Sequence, residues 1–227
     1  MRIWISRLAA AAAAAILTAG GASAQVVTRL PTHDKVVALT FDACESVTPA
    51  FLDKRIADIV VARHLPVTLF VAGRFARHNQ AALAKLAGTG FVEIENHSMN
   101  HYNHMDRLDD ARVRREVAQA DAVLYGITGR HTRFFRFPAG NYDARTLADV
   151  EAMGYRVVHW SFASGDPARS VTPQRLRDWV LSRTRPGSIL IFHINGRGWS
   201  TADALPGILD TLTARGYRFV RLDALLK

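Results

Sequence analysis

The sequence predicts an α/β fold built on seven parallel strands, and three observations support this prediction. Short apolar runs alternate with amphipathic helical patterns along the chain after residue 25. This alternation is typical of parallel strands that are joined by helices and buried on both faces. Gly90, Gly154 and Gly216 each stand between a helical pattern and the next strand, where a left-handed helix cap is needed. Periodicity alone leaves a closed barrel and an open doubly wound sheet as alternatives.

Seven runs qualify as strands because they are short, apolar and bounded by turn or helix signals. In chain order they are Val36–Phe41, Val67–Val71, Phe91–Glu95, Phe134–Arg136, Tyr155–His159, Ser188–His193 and Tyr217–Val220. The predicted helices between them are Pro49–Arg63, Leu108–Tyr125, Asp143–Met153, Pro173–Ser182 and Thr201–Arg215. Thr48, Thr172 and Ser200 fit the N-cap or first-turn positions of three of these helices.

The first 24 residues have the pattern of a secretory signal. Arg2 and Arg7 precede an apolar run over residues 8–17, and small residues follow at 22–24. The apolar run is shorter than the roughly 20 residues that span a bilayer, so an uncleaved anchor is the less favoured alternative. No later segment is long and apolar enough to span. We therefore predict cleavage before Gln25, a single domain over residues 25–227, and a periplasmic or secreted location.

The net charge limits the classes of binding partner, and the cysteine content limits disulfide formation. The formal net charge is +9, and removal of the two signal arginines leaves +7. There is no basic run interleaved with aromatic residues, so nucleic acid is not a predicted partner. Attraction to an anionic envelope and a merely solvated basic surface remain alternatives. Cys44 is the only cysteine, which excludes an intramolecular disulfide, and a buried inert thiol is favoured over a nucleophile.

Charged and imidazole side chains follow the ends of the predicted strands. Active sites of parallel α/β folds lie at the C-terminal ends of their strands, so these side chains are candidate functional residues. They are Asp42 after the first strand, His97 and His101 after the third, Arg136 at the fourth, Asp166 after the fifth and His193 at the sixth.

The spacing of His97 and His101 predicts a metal site. Four residues are about one helical turn, which would put both imidazoles on one face, able to bind one metal. Taken alone, this spacing is a weak signal that is more often found in surface histidines. Its position directly after a strand favours the metal interpretation.

The other strand-end residues suggest acid–base chemistry. Asp42 can be a general base, a metal ligand or a helix cap, and these alternatives stay open at this point. Arg136 can orient a carboxylate through paired hydrogen bonds. His193 needs a partner if it is buried, and Asp166 can fix its tautomer and make it a competent acid.

Taken together and in this order, these residues resemble the polysaccharide deacetylases of carbohydrate esterase family 4, the NodB-homology proteins. The resemblance covers roughly residues 36–226. The five matching segments are Thr40-Phe41-Asp42 (family pattern T-F-D-D), Glu93 to His101 (E-I-G-N-H-[ST]-x-x-H), Arg136 to Gly140 (R-x-P-[YF]-G), Trp160 with Asp166-Pro167 (D-W) and Ile191-Phe192-His193 (L-x-H).

The resemblance implies a distorted (β/α)7 barrel and a metal-dependent hydrolase. Such an enzyme would remove N- or O-linked acetyl groups from a cell-envelope or extracellular polysaccharide such as peptidoglycan. His97 and His101 would bind a divalent metal, zinc with cobalt as the alternative.

The resemblance also implies roles for five further residues. Asp42 would be the general base, held in place by Arg136. His193, oriented by Asp166, would protonate the leaving group. The backbone N–H of Ala139, with the metal, would stabilise the oxyanion.

Three departures from the family pattern affect these expectations. Ala43 replaces the second Asp, a metal ligand, and water, substrate, Glu45 or Asp42 would have to fill its position. Ala139 replaces an aromatic residue and opens one wall of the groove. Pro167 replaces the family's Trp.

Two tryptophans are candidate sugar contacts. Trp160 belongs to the fourth motif, and Trp199 ends a glycine-rich loop over residues 195–199 that is suited to stacking on a sugar, with an ordinary loop as the alternative. Two alternatives for the whole protein stay open. The first is a glycan-binding protein that has lost catalysis, and the second is a hydrolase of another amide C–N bond.

Overall fold

The computed structural model describes residues 25–45 and 48–227, so the predicted signal segment lies outside the described residues. The strands are β1 Val36–Ala43, β2 Val67–Val71, β3 Val92–Asn96, β4 Phe134–Phe135, β5 Arg156–Val157, β6 Ile189–His193 and β7 Arg218–Val220. The helices are α1 Lys54–Ala62, α2 Gly73–His78, α3 Gln80–Ala87, α4 Asp110–Thr128, α5 Ala144–Ala152, α6 Pro173–Arg183 and α7 Thr201–Ala214. None of the described helices combines the length and the apolar composition needed to cross a membrane.

The seven strands form one parallel sheet in the order β5-β4-β3-β2-β1-β6, with β7 also paired to β1. Two strands share one edge of β1, because β7 pairs with residues 36–38 and β2 pairs with residues 40–43, while β6 pairs along the opposite edge. The sheet curls into a half-barrel that helices cover, and a single parallel bridge between Phe162 and Leu190 joins the segment after β5 to β6. This architecture confirms the predicted α/β fold of the NodB type.

All eight residues of β1 are buried, and their side chains alternate between two cores. Val36 and Ala38 join a cluster made mainly by strand residues, inside the curl of the sheet. Leu39 and Phe41 join the larger cluster between the sheet and its helices. By the same alternation, Asp42 follows Ala38 on the inner face, at the C-terminal end of the strand. The apolar pattern of β1 therefore fixes the direction of its one acidic side chain.

The first helix begins at Lys54, so the predicted start at Pro49 and the Thr48 cap are wrong. Asp53 is the N-cap, and its carboxylate accepts hydrogen bonds from the N–H groups of the first turn. The residues before it give their N–H groups to side chains elsewhere: Ala50 donates to Glu45 and Leu52 donates to Asn79. Contacts distant in sequence thus hold this segment out of the helix.

The other predicted boundaries agree more closely. Thr172 caps α6, and its hydroxyl accepts from the N–H of Arg175. Ser200 is the N-cap of α7, although its hydroxyl donates to Val171. The sequence analysis missed α2 and α3, the two short helices between β2 and β3. The strand-end residues nevertheless fall at the C-terminal edge of the sheet.

Candidate active site

The C-terminal ends of the strands surround a cavity of about 290 Å³, here called the strand-end cavity. It brings together side chains from the loops after four strands. Its lining includes Asp42, His101, Asn103, Ala139, Trp160, Asp166, Pro167, His193 and Arg197.

On one side of the cavity, Asp42 forms a buried ion pair with Arg136. Arg136 Nη1 donates to Asp42 Oδ1 at 2.6 Å, and the arginine side chain is fully buried. Burial, the largest single effect, opposes ionisation of Asp42, but the charge and hydrogen bond of Arg136 together with the neighbouring imidazoles hold the pKa of the carboxyl below its ordinary value. Asp42 is therefore a carboxylate at neutral pH.

Arg136 makes three further hydrogen bonds. Nη1 also reaches the Thr40 hydroxyl at 3.0 Å, while Nε and Nη2 donate to the carbonyls of Val158 and His159. The guanidinium lies 3.9 Å from the centre of the Phe70 ring. Four hydrogen bonds, one of them to a carboxylate, explain how a fully buried cation is tolerated. It also fixes the position of the Asp42 carboxylate.

The imidazole of His97 is prepared to bind a metal through one nitrogen. Its side chain is 1% exposed, and Nδ1 lies 2.8 Å from the carbonyl of Arg136. A carbonyl accepts only, so Nδ1 carries the proton and Nε2 keeps its lone pair. Burial lowers the pKa of His97, so the ring is neutral at pH 7. The 3.5 Å contact between Nε2 and Asp42 Oδ2 is therefore not an ion pair.

His101 faces His97, with ring centroids 4.9 Å apart, but not through a helical turn as predicted. The segment after β3 is irregular, and Ser98 and His101 have left-handed φ values of 64° and 53°. Its backbone is held by the rest of the fold, including the donation from Asn100 N to Glu116. Burial, together with His97, lowers the pKa of His101 to about 3, so this imidazole is neutral as well.

Cys44 is the third member of this group. Its Sγ and the ligand nitrogens of His97 and His101 all lie within 4.8 Å of one another. Burial, followed by the negative charge of Asp42, raises the pKa of the thiol to about 12, so without a metal it is an unreactive thiol. Two neutral imidazoles and one sulfur are a donor set that suits a divalent cation such as zinc. The residues present therefore fit a metal.

Glu45, one of the four alternatives for the missing ligand position, has other partners. Glu45 Oε2 lies 2.8 Å from His78 Nδ1 and accepts from the N–H of Ala50, and Oε1 lies 3.5 Å from Arg74. Ala43 is fully buried in the cluster between sheet and helices.

On the other side of the cavity, His193 pairs with Asp166 as the sequence predicted. Nδ1 of the imidazole donates to Oδ1 of the fully buried Asp166 at 2.9 Å. The second carboxylate oxygen accepts from the His193 N–H at 2.7 Å and from the Thr201 hydroxyl at 2.8 Å. Burial disfavours the imidazolium, but the hydrogen bond and charge of Asp166 outweigh it and raise the pKa of His193.

The candidate sugar-binding residues divide between two cavities. Trp160 lines the strand-end cavity and stacks on His159, and Ala139 lines the same cavity with a left-handed φ of 55°. Trp199 instead lines a neighbouring cavity of about 210 Å³, together with Cys44. The guanidinium of Arg169 lies 4.1 Å from the centre of the Trp199 ring. Trp199 is thus not in the cavity that holds Asp42 and His193.

The loop over residues 195–199 was predicted as a candidate sugar contact, but the position of two of its polar residues beside Cys44 was not predicted. Arg197 lines both cavities, and the Asn195 side-chain amide donates to Cys44 Sγ at 3.2 Å. Both residues belong to the loop after β6. The one available signal was the position of Cys44 itself, two residues after Asp42 at the same strand end.

Fold and site together define a parallel α/β protein with a buried carboxylate, a carboxylate-bound imidazole and a group of residues that could hold a metal at the C-terminal ends of its strands. A family model described as polysaccharide deacetylase matches residues 29–158, more than half of the chain. A chitooligosaccharide deacetylase from Azorhizobium caulinodans is 30% identical over 206 residues, which cover 83% of this chain and 93% of the relative. The chain belongs to the polysaccharide deacetylase family.

A second relative is larger. An uncharacterized 30.6 kDa protein from Geobacillus stearothermophilus is 28% identical over 177 residues, or 76% of this chain, and the chain spans 64% of its length.

Solved structures share the fold. The peptidoglycan N-acetylglucosamine deacetylase Bc1960 superposes with a TM-score of 0.80 at 25% identity, covering 88% of this chain and 92% of its own. A CE4 family pseudoenzyme from Bacillus anthracis gives a TM-score of 0.79 at 22% identity, covering 90% of this chain and 70% of its own.

Proposed function

We propose that this protein is a metal-dependent hydrolase that removes acetyl groups from a cell-envelope or extracellular polysaccharide such as peptidoglycan. One observation carries the proposal: a carboxylate held by Arg136 and an imidazole held by Asp166 line the same cavity. Membership of the family supports the reaction class. The names of the Azorhizobium relative and of Bc1960 support acetylated glycans as substrates.

His97 and His101 would hold the divalent metal, zinc or, as the alternative, cobalt. When bound, such an ion polarises the acyl oxygen and makes water a stronger nucleophile at neutral pH. The chain supports this role because the hydrogen bond from His97 Nδ1 to the Arg136 carbonyl aims the second ring nitrogen at the site.

Asp42 is the proposed general base. As a buried carboxylate beside Arg136, it can accept the proton of the water that attacks the acyl carbon. Its fixed position reduces the reorganisation needed when this proton moves. The backbone N–H of Ala139 would donate to the acyl oxygen as negative charge develops there.

His193 is the proposed general acid. The raised pKa of its imidazole favours the protonated form, and the Nδ1–H bond to Asp166 directs Nε2 as the proton donor. Nε2 would give its proton to the amine nitrogen or alkoxide oxygen as the bond to the acyl carbon breaks and acetate leaves. Trp160 would form one wall of the sugar-binding site, and Trp199 would contact a sugar unit farther along the glycan.

The basic and small residues of the first 24 positions support export, with cleavage before Gln25 and a periplasmic or secreted location. The mature residues would then act on the envelope or outside the cell. This part of the proposal rests on sequence alone.

Acetate release from acetylated chitooligosaccharides, peptidoglycan and acetylated xylan tests the function, with zinc or cobalt added and with a chelator. We expect release that needs the metal, and a loss of about 10²–10⁴-fold in Asp42→Asn, because a general base contributes about that factor. Asp58→Asn, which removes a surface carboxylate outside the cavity, should retain full activity. Glycan binding without acetate release from any substrate would contradict the enzyme proposal and favour a catalytically impaired glycan-binding protein. The specific argument for that alternative is that Ala43 lacks the carboxylate of the family pattern. Cleavage of a non-acetyl amide would favour the third alternative.

A further inference from the structure

One nucleophilic side chain beside the site has no role in the proposed mechanism. The thiol of Cys44 is 2% exposed, and its sulfur lies within 4.8 Å of the ligand nitrogens of His97 and His101. Metal bonds of about 2.3 Å to sulfur and about 2.0–2.1 Å to imidazole nitrogen can join such a set after small side-chain movements. His97 is itself almost fully buried with its Nε2 lone pair available, which is a separate indication of a ligand at this point.

We propose that Cys44 is the third protein ligand of the metal and binds it as a thiolate. The site then consists of one sulfur and two imidazole nitrogens, where the family pattern has a carboxylate and two imidazoles. The inference rests on the proposed function only for the presence of a divalent cation at His97 and His101.

The nearby carboxylates are unsuited to this position. Glu45 is held by His78 and by the N–H of Ala50, and its other oxygen lies 3.5 Å from Arg74. Asp42 has Oδ1 bound by Arg136 at 2.6 Å. Moving Asp42 onto the metal would weaken its ion pair with a fully buried arginine. Metal binding by Cys44 would disturb no such ion pair, and the cation itself would favour loss of the thiol proton.

Two neighbouring groups would support a metal-bound thiolate, although burial and the charge of Asp42 keep the metal-free thiol protonated. The side-chain amide of Asn195 donates to Sγ at 3.2 Å and also to the Cys44 carbonyl, so it fixes the residue from two points. Arg197 brings a cation to the wall shared by the two cavities. N–H donors and a nearby positive charge stabilise a metal-bound thiolate. The loop after β6 therefore has a function in supporting the metal ligand.

A cysteine ligand has two chemical consequences. It restores the single negative charge that the Ala43 substitution removes. It also selects borderline and soft metals such as Zn²⁺ over the hard, oxygen-preferring Mg²⁺ and Ca²⁺. Asp42 is then left free to act as the base.

Cobalt titration of the purified protein tests this assignment without an activity measurement. Because Cys44 is the only cysteine of the chain, a sulfur-to-cobalt charge-transfer band in the near ultraviolet must come from it. We expect this band in the wild type and its loss in Cys44→Ser. The affinity for Co²⁺ should fall at least about 100-fold, since even residues that only orient a ligand contribute 10–100-fold. X-ray absorption of the zinc-loaded wild type should show one sulfur at about 2.3 Å, which needs no variant.

The control is His104→Ala, a histidine of the same loop that is half exposed and lies near Asp106 rather than in the group. It should keep the band and the affinity, whereas His101→Ala should lose both. Cobalt binding without sulfur contact would overturn the inference and leave the proposed function standing. No cobalt or zinc binding would overturn both. A sulfur band without acetate release from any glycan would support the inference and contradict the proposed function.

Discussion

Arg136 Nη1 lies 2.6 Å from Oδ1 of Asp42, and neither side chain is more than 6% exposed. This ion pair joins the end of β1 to the segment after β4, across 94 positions of sequence. A charge-assisted hydrogen bond in a buried site is both strong and directional. It therefore links the stability of the barrel interior to the position of the proposed base.

Replacement of Arg136 by methionine should be costly. Arg136→Met leaves the Asp42 carboxylate buried without its partner, and breaking such a pair costs about 3–5 kcal/mol. We expect the free energy of unfolding to fall by that amount, as measured by urea denaturation, and acetate release to be lost. Arg133→Met is the control, because this exposed arginine lies 3.8 Å from Asp223 and should change stability by less than about 0.5 kcal/mol. Equal losses in the two variants would contradict the structural importance of the buried pair.

The His193–Asp166 pair predicts a change in pH dependence. Because the pKa of His193 is raised, the proton needed by the leaving group is present below that pKa and lost as pH rises through it. Asp166→Asn removes the stabilising charge, so the basic limb of the kcat/KM profile should move to lower pH, by about 1–3 on the pH scale. Ser164→Ala removes only a neighbouring hydroxyl donor to Asp166 and should leave the limb nearly unchanged. If the basic limb of the kcat/KM profile did not move in Asp166→Asn, His193 would not be the general acid.

Gly140 supports the Trp160 wall of the cavity. It has a φ of 73°, and a Cβ there would lie 2.9 Å from the Trp160 ring. Gly140→Ala should cost about 1–2 kcal/mol from the left-handed backbone and also displace the indole, raising KM for the glycan. Gly129→Ala is matched, because its φ is 70° and nothing lies within 4 Å of its Cβ position. Both variants should lose similar stability in thermal unfolding, and a raised KM in both would contradict the specific role of the Trp160 contact.

Two glutamates buried on the inner face of β3 predict a pH-dependent stability. Burial, with the neighbouring Glu93, raises the pKa of Glu95 well above its ordinary value of 4.5. The stability that Glu95 contributes is therefore fully present below that ordinary pKa and is lost as pH rises through the raised pKa. A pKa that is higher by one in the folded state corresponds to about 1.4 kcal/mol of this stability. Glu95→Gln stays neutral and can still accept from the N–H groups of Arg133 and Phe134.

The variant should therefore be more stable than the wild type at pH 8 and show a weaker decline between pH 5 and pH 8, as measured by urea unfolding. Glu151→Gln removes a partly exposed charge and should follow the wild type. If the free energy of unfolding of Glu95→Gln declined with pH as steeply as that of the wild type, a group other than Glu95 would be the cause.

The strand-end residues could be located from sequence because their signals are local. The apolar run before Asp42 and the run before His193 each specify a buried parallel strand, and a parallel strand delivers its last residue to one known edge of the sheet. The α/β fold was predicted on this basis and the family from the resemblance of five ordered motifs, and both are confirmed. The roles of Asp42, Arg136, Asp166 and His193 stay predictions, although the structure brings their side chains to hydrogen-bonding distance in pairs.

The backbone conformation of the loop that carries His97 and His101 could not be predicted from local sequence. Their spacing predicted a helical turn, but Glu116 and the segment around Gly73 bind the loop backbone and hold it in an irregular form. Such partners lie tens of residues away, so periodicity does not contain them. The imidazoles meet as predicted, by a different backbone path.

By itself, the sequence determined the parallel α/β fold, the edge of the sheet that carries the chemistry and the family, because apolar runs and strand-end motifs are properties of neighbouring residues. Only the tertiary structure decided which side chains meet. It placed the Cys44 sulfur beside two imidazoles more than 50 residues away, bound Glu45 to His78, and separated Trp199 from the strand-end cavity. These distances depend on how β1, the loop after β3 and the loop after β6 pack against one another, and no local pattern specifies that packing.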